Sequence, residues 1–235
     1  YLKSKDTVLF RNLSNVLSLN LNSSTVTRFG NGNNSYINSI ASTKDEKCFF
    51  TTGDNKTLKK WSADSWTILK SVDLDSEGMP LLVDEKTGTS LVGMSDGVLA
   101  EYSLSDLNLI RTVKAHNSWI SETVKLSSGD VVTCSGDGSV CLPFRDNLPM
   151  KVSKKIVNSI TELSDKTILY SCYDGLRIIP SLLLQDPLLL ETINSISSSL
   201  DSIRKSSSNQ KPQLISLLQH HLAQLLTPVR NQPEK

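Results

Sequence analysis

The residues able to do chemistry are few and scattered. The chain holds three histidines, His116, His220 and His221, and four cysteines, Cys48, Cys134, Cys141 and Cys172. No two cysteines stand in a CxxC spacing and no histidine lies near them at metal-ligand spacing, so a zinc site is not indicated. Each cysteine sits inside an apolar, strand-like run and reads as a buried reduced thiol. His220 and His221 lie beside an apolar stripe with no third ligand near and read as exposed polar residues. The sequence has no Walker loop, no GxGxxG, no GxSxG and no HExxH, so the common phosphate, dinucleotide, serine-hydrolase and zinc-protease chemistries have no carrier. Asp-Gly pairs resemble pieces of calcium loops. Asp137-Gly138-Ser139 nevertheless leads directly into Val140, and the acidic positions that a calcium loop needs next are absent. The expectation is a non-enzyme with no catalytic residue, metal or cofactor.

Charge narrows the partners. Lys+Arg is 25 and Asp+Glu is 24 over 235 residues, a net charge of +1. A chain so neutral has no overall electrostatic reason to coat nucleic acid or acidic lipid. No apolar run approaches the length of a membrane helix, and no basic segment followed by an apolar one opens the sequence at Tyr1. The expectation is an intracellular protein, cytoplasmic or nuclear, given as part of a longer chain. Triplets such as Asn12-Leu13-Ser14 and Asn22-Ser23-Ser24 fit a glycosylation pattern but carry no weight in a chain this rich in Asn and Ser.

The elements that position these residues are legible as a repeat. A turn phrase recurs at Asp54-Asn55-Lys56, Ser95-Asp96-Gly97, Gly136-Asp137-Gly138 and Tyr173-Asp174-Gly175, each between two apolar runs. Asn55, Asp96, Asp137 and Asp174 stand at intervals of 41, 41 and 37 residues. A period near 40 with a tight turn between apolar runs marks a four-stranded propeller blade. In the unit Met79–Val113, Pro80–Val83, Thr89–Met94, Val98–Tyr102 and Leu107–Val113 read as four strands with polar turns between them. Asp96-Gly97 is a hairpin turn in which Gly tolerates positive φ. The units Tyr36–Val72, His116–Val152 and Ile156–Leu183 read the same way. Asp6–Phe10, Val16–Leu21 and Thr25–Phe29 read as the last three strands of an earlier unit. Unit boundaries fall near 31, 73, 114 and 153.

These phrases resemble the WD40 repeat family over about residues 5–183. Its opening Gly-His is matched by Ala115-His116-Asn117-Ser118-Trp119-Ile120 and, without the His, by Gly32-Asn33-Asn34-Ser35-Tyr36-Ile37. Its closing Trp-Asp is matched by Trp61-Ser62 and Tyr102-Ser103, while Pro143 and Pro180 stand at the Trp position of the last two units. The resemblance implies an all-β fold of propeller blades, four clear and one truncated. It also implies a buried hydrogen-bond chain of His, strand hydroxyl, turn Asp and Trp in each blade. Only His116 with Asp137 offers the start of such a chain, and Pro143 would stop it early. Trp61, Asp96 and Asp174 are the remaining structural positions. Because Pro breaks ladder pairing, the third strands should end near Leu142 and Ile179. A seven-bladed ring would need about 280 residues, so the ring formed by 1–183 is incomplete.

After Pro180 the period changes. Asp186-Pro187 forms a helix start, and Leu189, Ile193, Ile196, Leu200 and Ile203 recur at intervals of 4, 3, 4 and 3, an a/d stripe. Ser206–Gln210 is a link, and Pro212 opens a second apolar-striped segment ending at Thr227-Pro228. Residues 184–235 therefore read as a two-helix tail with a disordered end. It either folds back on the propeller or itself, or serves as a docking or oligomerisation element.

Two functions remain open. One is a scaffold that binds other proteins through the propeller face, with the tail as a second contact. In the resembling family, loops leading into the inner strands share one rim, and Tyr36, Met79, Trp119 and Ile156 are expected there. Tyr and Trp are suited to anchoring a partner. The other is an RNA-associated propeller subunit of a ribonucleoprotein, which would use Lys56, Lys59 and Lys60, and Lys151, Lys154 and Lys155, as basic clusters.

Overall fold

A computed structural model of the chain describes residues 2–29, 35–145, 149–173 and 175–179. The first compact unit runs from Tyr1 to Ile178, and the second from Ile179 to Lys235. Among the described residues the only helical element is a 3-10 turn, Lys3–Lys5, and the rest is strand and turn. The predicted two-helix tail, with Leu189, Ile193, Ile196, Leu200 and Ile203, lies outside the described residues, as does Asp174.

Five antiparallel sheets follow one another along the chain. The first contains β1 (Thr7–Asn12), β2 (Asn15–Asn20) and β3 (Val26–Phe29). The second contains β4 (Ile37–Ser42), β5 (Cys48–Gly53), β6 (Thr57–Ser62) and β7 (Ile68–Asp73). The third contains β8 (Gly78–Asp84), β9 (Thr89–Met94), β10 (Val98–Ser103) and β11 (Leu109–Lys114). The fourth contains β12 (Ile120–Lys125), β13 (Val131–Ser135), β14 (Ser139–Cys141) and β15 (Met150–Lys151), and the fifth contains β16 (Val157–Glu162), β17 (Ile168–Cys172) and β18 (Gly175–Ile179). Each sheet is a meander in chain order. The sheet boundaries agree with those read from the repeat. The third strands stop at Cys141, just before Pro143, and at Ile179.

The period of 41 is written into the turns. Each second-to-third strand turn places one residue in the left-handed region: Lys56 (φ 55), Gly97 (φ 86), Gly138 (φ 82) and Gly175 (φ 125). In the first three the residue before it, Asn55, Asp96 or Asp137, accepts through its side-chain oxygen from the residue two positions on, Thr57 Oγ1, Val98 N or Ser139 N. At Gly97 glycine is required twice over, because a Cβ would also lie 2.3 Å from the His116 carbonyl oxygen. The first turn of each four-stranded sheet repeats the device at Glu46, Gly88 and Gly129, and the third turn repeats it at Trp66 and Leu107. The inner strands share a further feature, a register shift at Ile37/Ser39, Gly78/Leu81, Ile120/Glu122 and Val157/Ser159. Such a bulge bends a strand and increases its twist.

Side-chain alternation then builds the contacts between sheets. On β5, Phe49 packs with Val16, Ile37 and Trp61 toward the first sheet, while Phe50 packs with Val92, Met94 and Tyr102 toward the third. On β9, Val92 joins that second cluster, and Leu91 joins Ile120, Val131 and Cys141 toward the fourth sheet. Middle strands are thus buried on both faces, which explains their nearly unbroken apolar runs. Carboxylates of the first turns fasten one sheet to the last. Glu46 accepts from Lys3 N at 2.7 Å and Ser4 N at 2.8 Å, and Glu85 accepts from Lys44 N at 2.5 Å. Glu162 accepts from Ser127 N at 2.7 Å and Ser127 Oγ at 2.8 Å. The Ser4 hydroxyl also donates to Glu46, and this bond with those of the Ser4 and Lys3 amides holds the Glu46 carboxyl below the usual range, as the Ser127 amide and hydroxyl do for Glu162.

Among the described residues the first sheet has three strands, which match the last three of a four-stranded unit, as the repeat predicts. β1 packs against β4 in the way that β5 packs against β8 and β13 against β16. Leu2 N donates to Thr7 O at 2.7 Å, as Thr43 N does to Cys48 O at 2.9 Å and Leu126 N to Asp130 O at 2.8 Å. Leu2 therefore holds the place of the residue directly after an inner strand, as Thr43 follows β4 and Leu126 follows β12. Phe10, Leu21 and Val26 of this sheet are exposed apolar residues.

Candidate protein-binding rim

The rim is made by the loops that lead into the inner strands together with the second-to-third strand turns. Their backbones are tied within each sheet by one repeated hydrogen bond. Asp54 N donates to Tyr36 O at 3.0 Å, Ser95 N to Glu77 O at 2.9 Å, and Gly136 N to Trp119 O at 3.0 Å. Tyr36, Glu77 and Trp119 are therefore equivalent positions on one rim. Ile156, directly before Val157, is the fourth. Met79 is not. The register pairs Gly78 with Met94 as it pairs Ile37 with Gly53, so Met79 lies inside the strand, two residues beyond the rim. Its carbonyl accepts from Thr52 Oγ1 at 3.1 Å, and its sulfur lies 3.5 Å from Asn38 Nδ2.

Both aromatics face solvent, Tyr36 at 57% exposure and Trp119 at 37%. Tyr36 borders a cavity of about 320 Å³ with Leu13, Ser14 and Ser35. That cavity joins the turn of the first sheet to the second, and Ile37 N donates to Leu13 O at 2.8 Å beneath it. Trp119 lies flat on the turn of its own sheet. A Cβ at Gly136 would sit 2.5 Å from its Cε2, so only glycine there admits the indole. Ile156 is half-buried and Tyr173 is 76% exposed.

Under Trp119 the loop is held by a buried polar chain. His116 is 2% exposed. Its Nδ1 lies 2.7 Å from Ser139 Oγ and its Nε2 2.7 Å from Thr133 Oγ1. Ser139 Oγ donates to Asp137 Oδ1 at 2.5 Å, and Asn117 N donates to Asp137 Oδ2 at 2.8 Å. The Ser139 proton is thus committed to Asp137, so Nδ1–H donates to Ser139 and Nε2 accepts from Thr133. The neutral ring satisfies every group. Burial lowers the His116 pKa to about 4, against a smaller upward pull from Asp137. Desolvation pushes the Asp137 carboxyl up, but the bonds from Ser139 and Asn117 bring it below its ordinary value.

The chain does stop before Pro143, as expected. Its missing half is in another sheet. Trp61 Nε1 donates to Thr51 Oγ1 at 2.9 Å, fully buried, and Thr51 is the equivalent of Thr133. Asp96 serves its turn, where Oδ1 accepts from Val98 N at 3.1 Å.

The first lysine cluster does not form a basic patch. Lys59 is 6% exposed, and burial lowers its pKa. Lys60 Nζ donates to Leu104 O at 2.7 Å, and Lys56 Nζ to Asp75 O at 3.4 Å. Lys151 Nζ donates to Asp137 O, and Lys154 and Lys155 are exposed. On the opposite rim the third and fourth sheets share a cleft of about 180 Å³, where Arg111 Nε meets Glu101 Oε2 at 2.6 Å and its guanidinium stacks 3.7 Å from the Phe144 ring. Lys125 pairs with Asp84 in the same cleft. The four cysteines form no disulfide, and burial raises the Cys134 thiol to about 12. Glu77, Leu13 and Tyr173 were not foreseen. Counting back from the Asx turns of the repeat would have found Glu77.

A family model described as WD domain, G-beta repeat matches residues 23–62. That segment is a WD40 repeat. The chain is also similar to a chain in a crystal structure of the mitotic checkpoint complex, with TM-score 0.66, 15% identity, 75% of this chain covered and 57% of that one. A second similar structure is the WD40 β-propeller domain of Doa1, with TM-score 0.56, 20% identity, 72% of this chain covered and 62% of that one. The chain therefore has the WD40 propeller fold and spans less than two thirds of either structure. A comparison with curated protein sequences finds no match. Among the described residues no helix is long and apolar enough to cross a membrane.

Proposed function

We propose that this WD40 propeller is a protein-binding scaffold that captures a segment of another protein on the rim bearing Tyr36 and Trp119. The observation that carries the reading is the pairing of exposure with rigidity at two equivalent rim positions. Each aromatic is solvent-facing, while its carbonyl is fixed by the turn beneath it. Rigid aromatic anchors lose little entropy on binding and dominate interface energetics. One of the similar structures belongs to a protein assembly, the mitotic checkpoint complex, which accords with a subunit role in an intracellular complex. The stripe Leu189, Ile193, Ile196, Leu200 and Ile203 would add a second docking or self-association contact. An RNA-containing partner has less support, because Lys59 and Lys60 are turned away from a shared surface.

Trp119→Ala should weaken partner binding by about 2 kcal/mol, roughly thirtyfold, with an unchanged circular dichroism spectrum. Partners co-purified by wild type and variant, with and without ribonuclease, provide the test. Unchanged recovery, or loss of the fold, would sink the reading.

A further inference from the structure

We infer that the segment captured on this rim is a basic one: an apolar residue seated in the Leu13–Tyr36 cavity, followed by a lysine or arginine directed at the third sheet. The inference rests on the proposed rim reading and adds the chemistry of its occupant.

The four equivalent rim positions read Tyr36, Glu77, Trp119 and Ile156, so a carboxylate stands between two aromatics. Glu77 is exposed, and among the described residues it has no ion-pair partner. Asp75, two residues earlier in the same loop, is also exposed and makes no described ion pair. The flanking turns add Asp54 and Asp96. The nearby cations are placed on backbone oxygens, Lys56 on Asp75 O, Lys114 on Asp96 O and, beside Tyr36, Arg11 on Ile37 O. Asp54 is half-buried and accepts from Asn38 Nδ2 at 2.7 Å, so Asp75, Glu77 and Asp96 are the exposed carboxylates that this part of the rim presents, with their neighbouring cations already on backbone oxygens. An aromatic ring stands on either side: Tyr36, beside the cavity of about 320 Å³ that it lines with Leu13 and the hydroxyl-bearing Ser14 and Ser35, on one, and Trp119 over Gly136 on the other.

This arrangement selects by charge sign. An arginine or lysine side chain bound on the third sheet between these rings would pair with Glu77, and one laid against either ring would add cation–π attraction. A glutamate there meets like charge and loses affinity. The positive residues of the fourth and fifth sheets, Lys154 and Lys155, lie beyond Trp119 and set the limit of the acidic stretch.

The test is selection of a displayed library of random nine-residue peptides on the full chain, followed by anisotropy titration of the recovered peptides. The expected result is recovery of sequences with Lys or Arg next to a bulky apolar residue. Replacing that cation by Gln should weaken binding about fivefold, in keeping with one or two exposed ion pairs. The double variant Asp75→Asn, Glu77→Gln should lose the same factor for the cationic peptide and none for its Gln counterpart, and raised salt should erase the difference. Peptides that need Tyr36 but show no preference for a cation would overturn the basic occupant and leave the rim reading standing. Absence of any Tyr36-dependent peptide would overturn both.

Discussion

Acidification should loosen this fold through one imidazole. His116 is neutral in the folded state, with its pKa lowered from 6.5 to about 4. The unfolded chain therefore binds a proton as pH falls through 6.5, and the folded chain resists until about 4. A depressed folded pKa means that the stability is present above the unfolded value and is lost as pH falls toward the folded one. From these two values the loss is about 2 kcal/mol between pH 7.5 and pH 5, and about 3 kcal/mol by pH 4. The structural cost is visible. A proton on Nε2 would face the Thr133 hydroxyl hydrogen, whose other acceptor, Cys141 O, is 3.5 Å away. Urea unfolding followed by tryptophan fluorescence at pH 7.5 and pH 5 reads the effect. His116→Gln should be less stable at pH 7.5 but should lose about 2 kcal/mol less on acidification. The comparison also removes Glu122, whose carboxyl burial pushes up and which changes stability in the opposite direction. Equal losses in the two proteins would refute the assignment of a buried neutral His116.

Gly97→Ala must take φ 86 and place a Cβ 2.3 Å from the His116 carbonyl oxygen, so thermal unfolding should show a loss of about 1–3 kcal/mol. Trp61→Phe keeps the stack on Phe49 but removes the donor to buried Thr51 Oγ1, and chemical denaturation should show a loss of about 1–3 kcal/mol. Gly136→Ala displaces the Trp119 indole from its turn, and stronger acrylamide quenching of tryptophan emission would register it. The same quenching as wild type would mean that the indole does not rest there.

The parts of this fold that could be read in advance are those governed by local backbone chemistry. Asn55, Asp96 and Asp137 announce the turns because an Asx side chain followed by a left-handed residue forms a turn wherever it stands. The strands follow because apolar runs between such turns have nowhere else to be buried. Rim equivalence was readable for Tyr36 and Trp119, where the opening phrase survives, and was misread at Met79, where it does not. Lys59 and Lys60 look like a cluster in the sequence, but adjacent strand residues point to opposite faces. The pairs Lys125–Asp84 and Arg111–Phe144 join different sheets, and no local spacing announces them.

The divided polar chain shows why the repeat signature had become hard to read. The second sheet keeps Trp61 on Thr51, the fourth keeps His116 with Thr133, Ser139 and Asp137. The third has Val92 and Tyr102 at the equivalent places, both packed in an apolar cluster. A buried polar group left without its partner costs about 1–3 kcal/mol, whereas replacing both partners by apolar groups is nearly neutral. Loss of one member therefore favours either a smaller closed set or an apolar replacement of the whole. The second and fourth sheets have the first outcome and the third has the second. The signature positions of each sheet are thus either paired or packed, although the buried hydroxyls of Ser90 and Thr123, elsewhere in the third and fourth sheets, have no hydrogen-bond partner among the described residues, and a chain with few WD40 dipeptides still packs as WD40 blades.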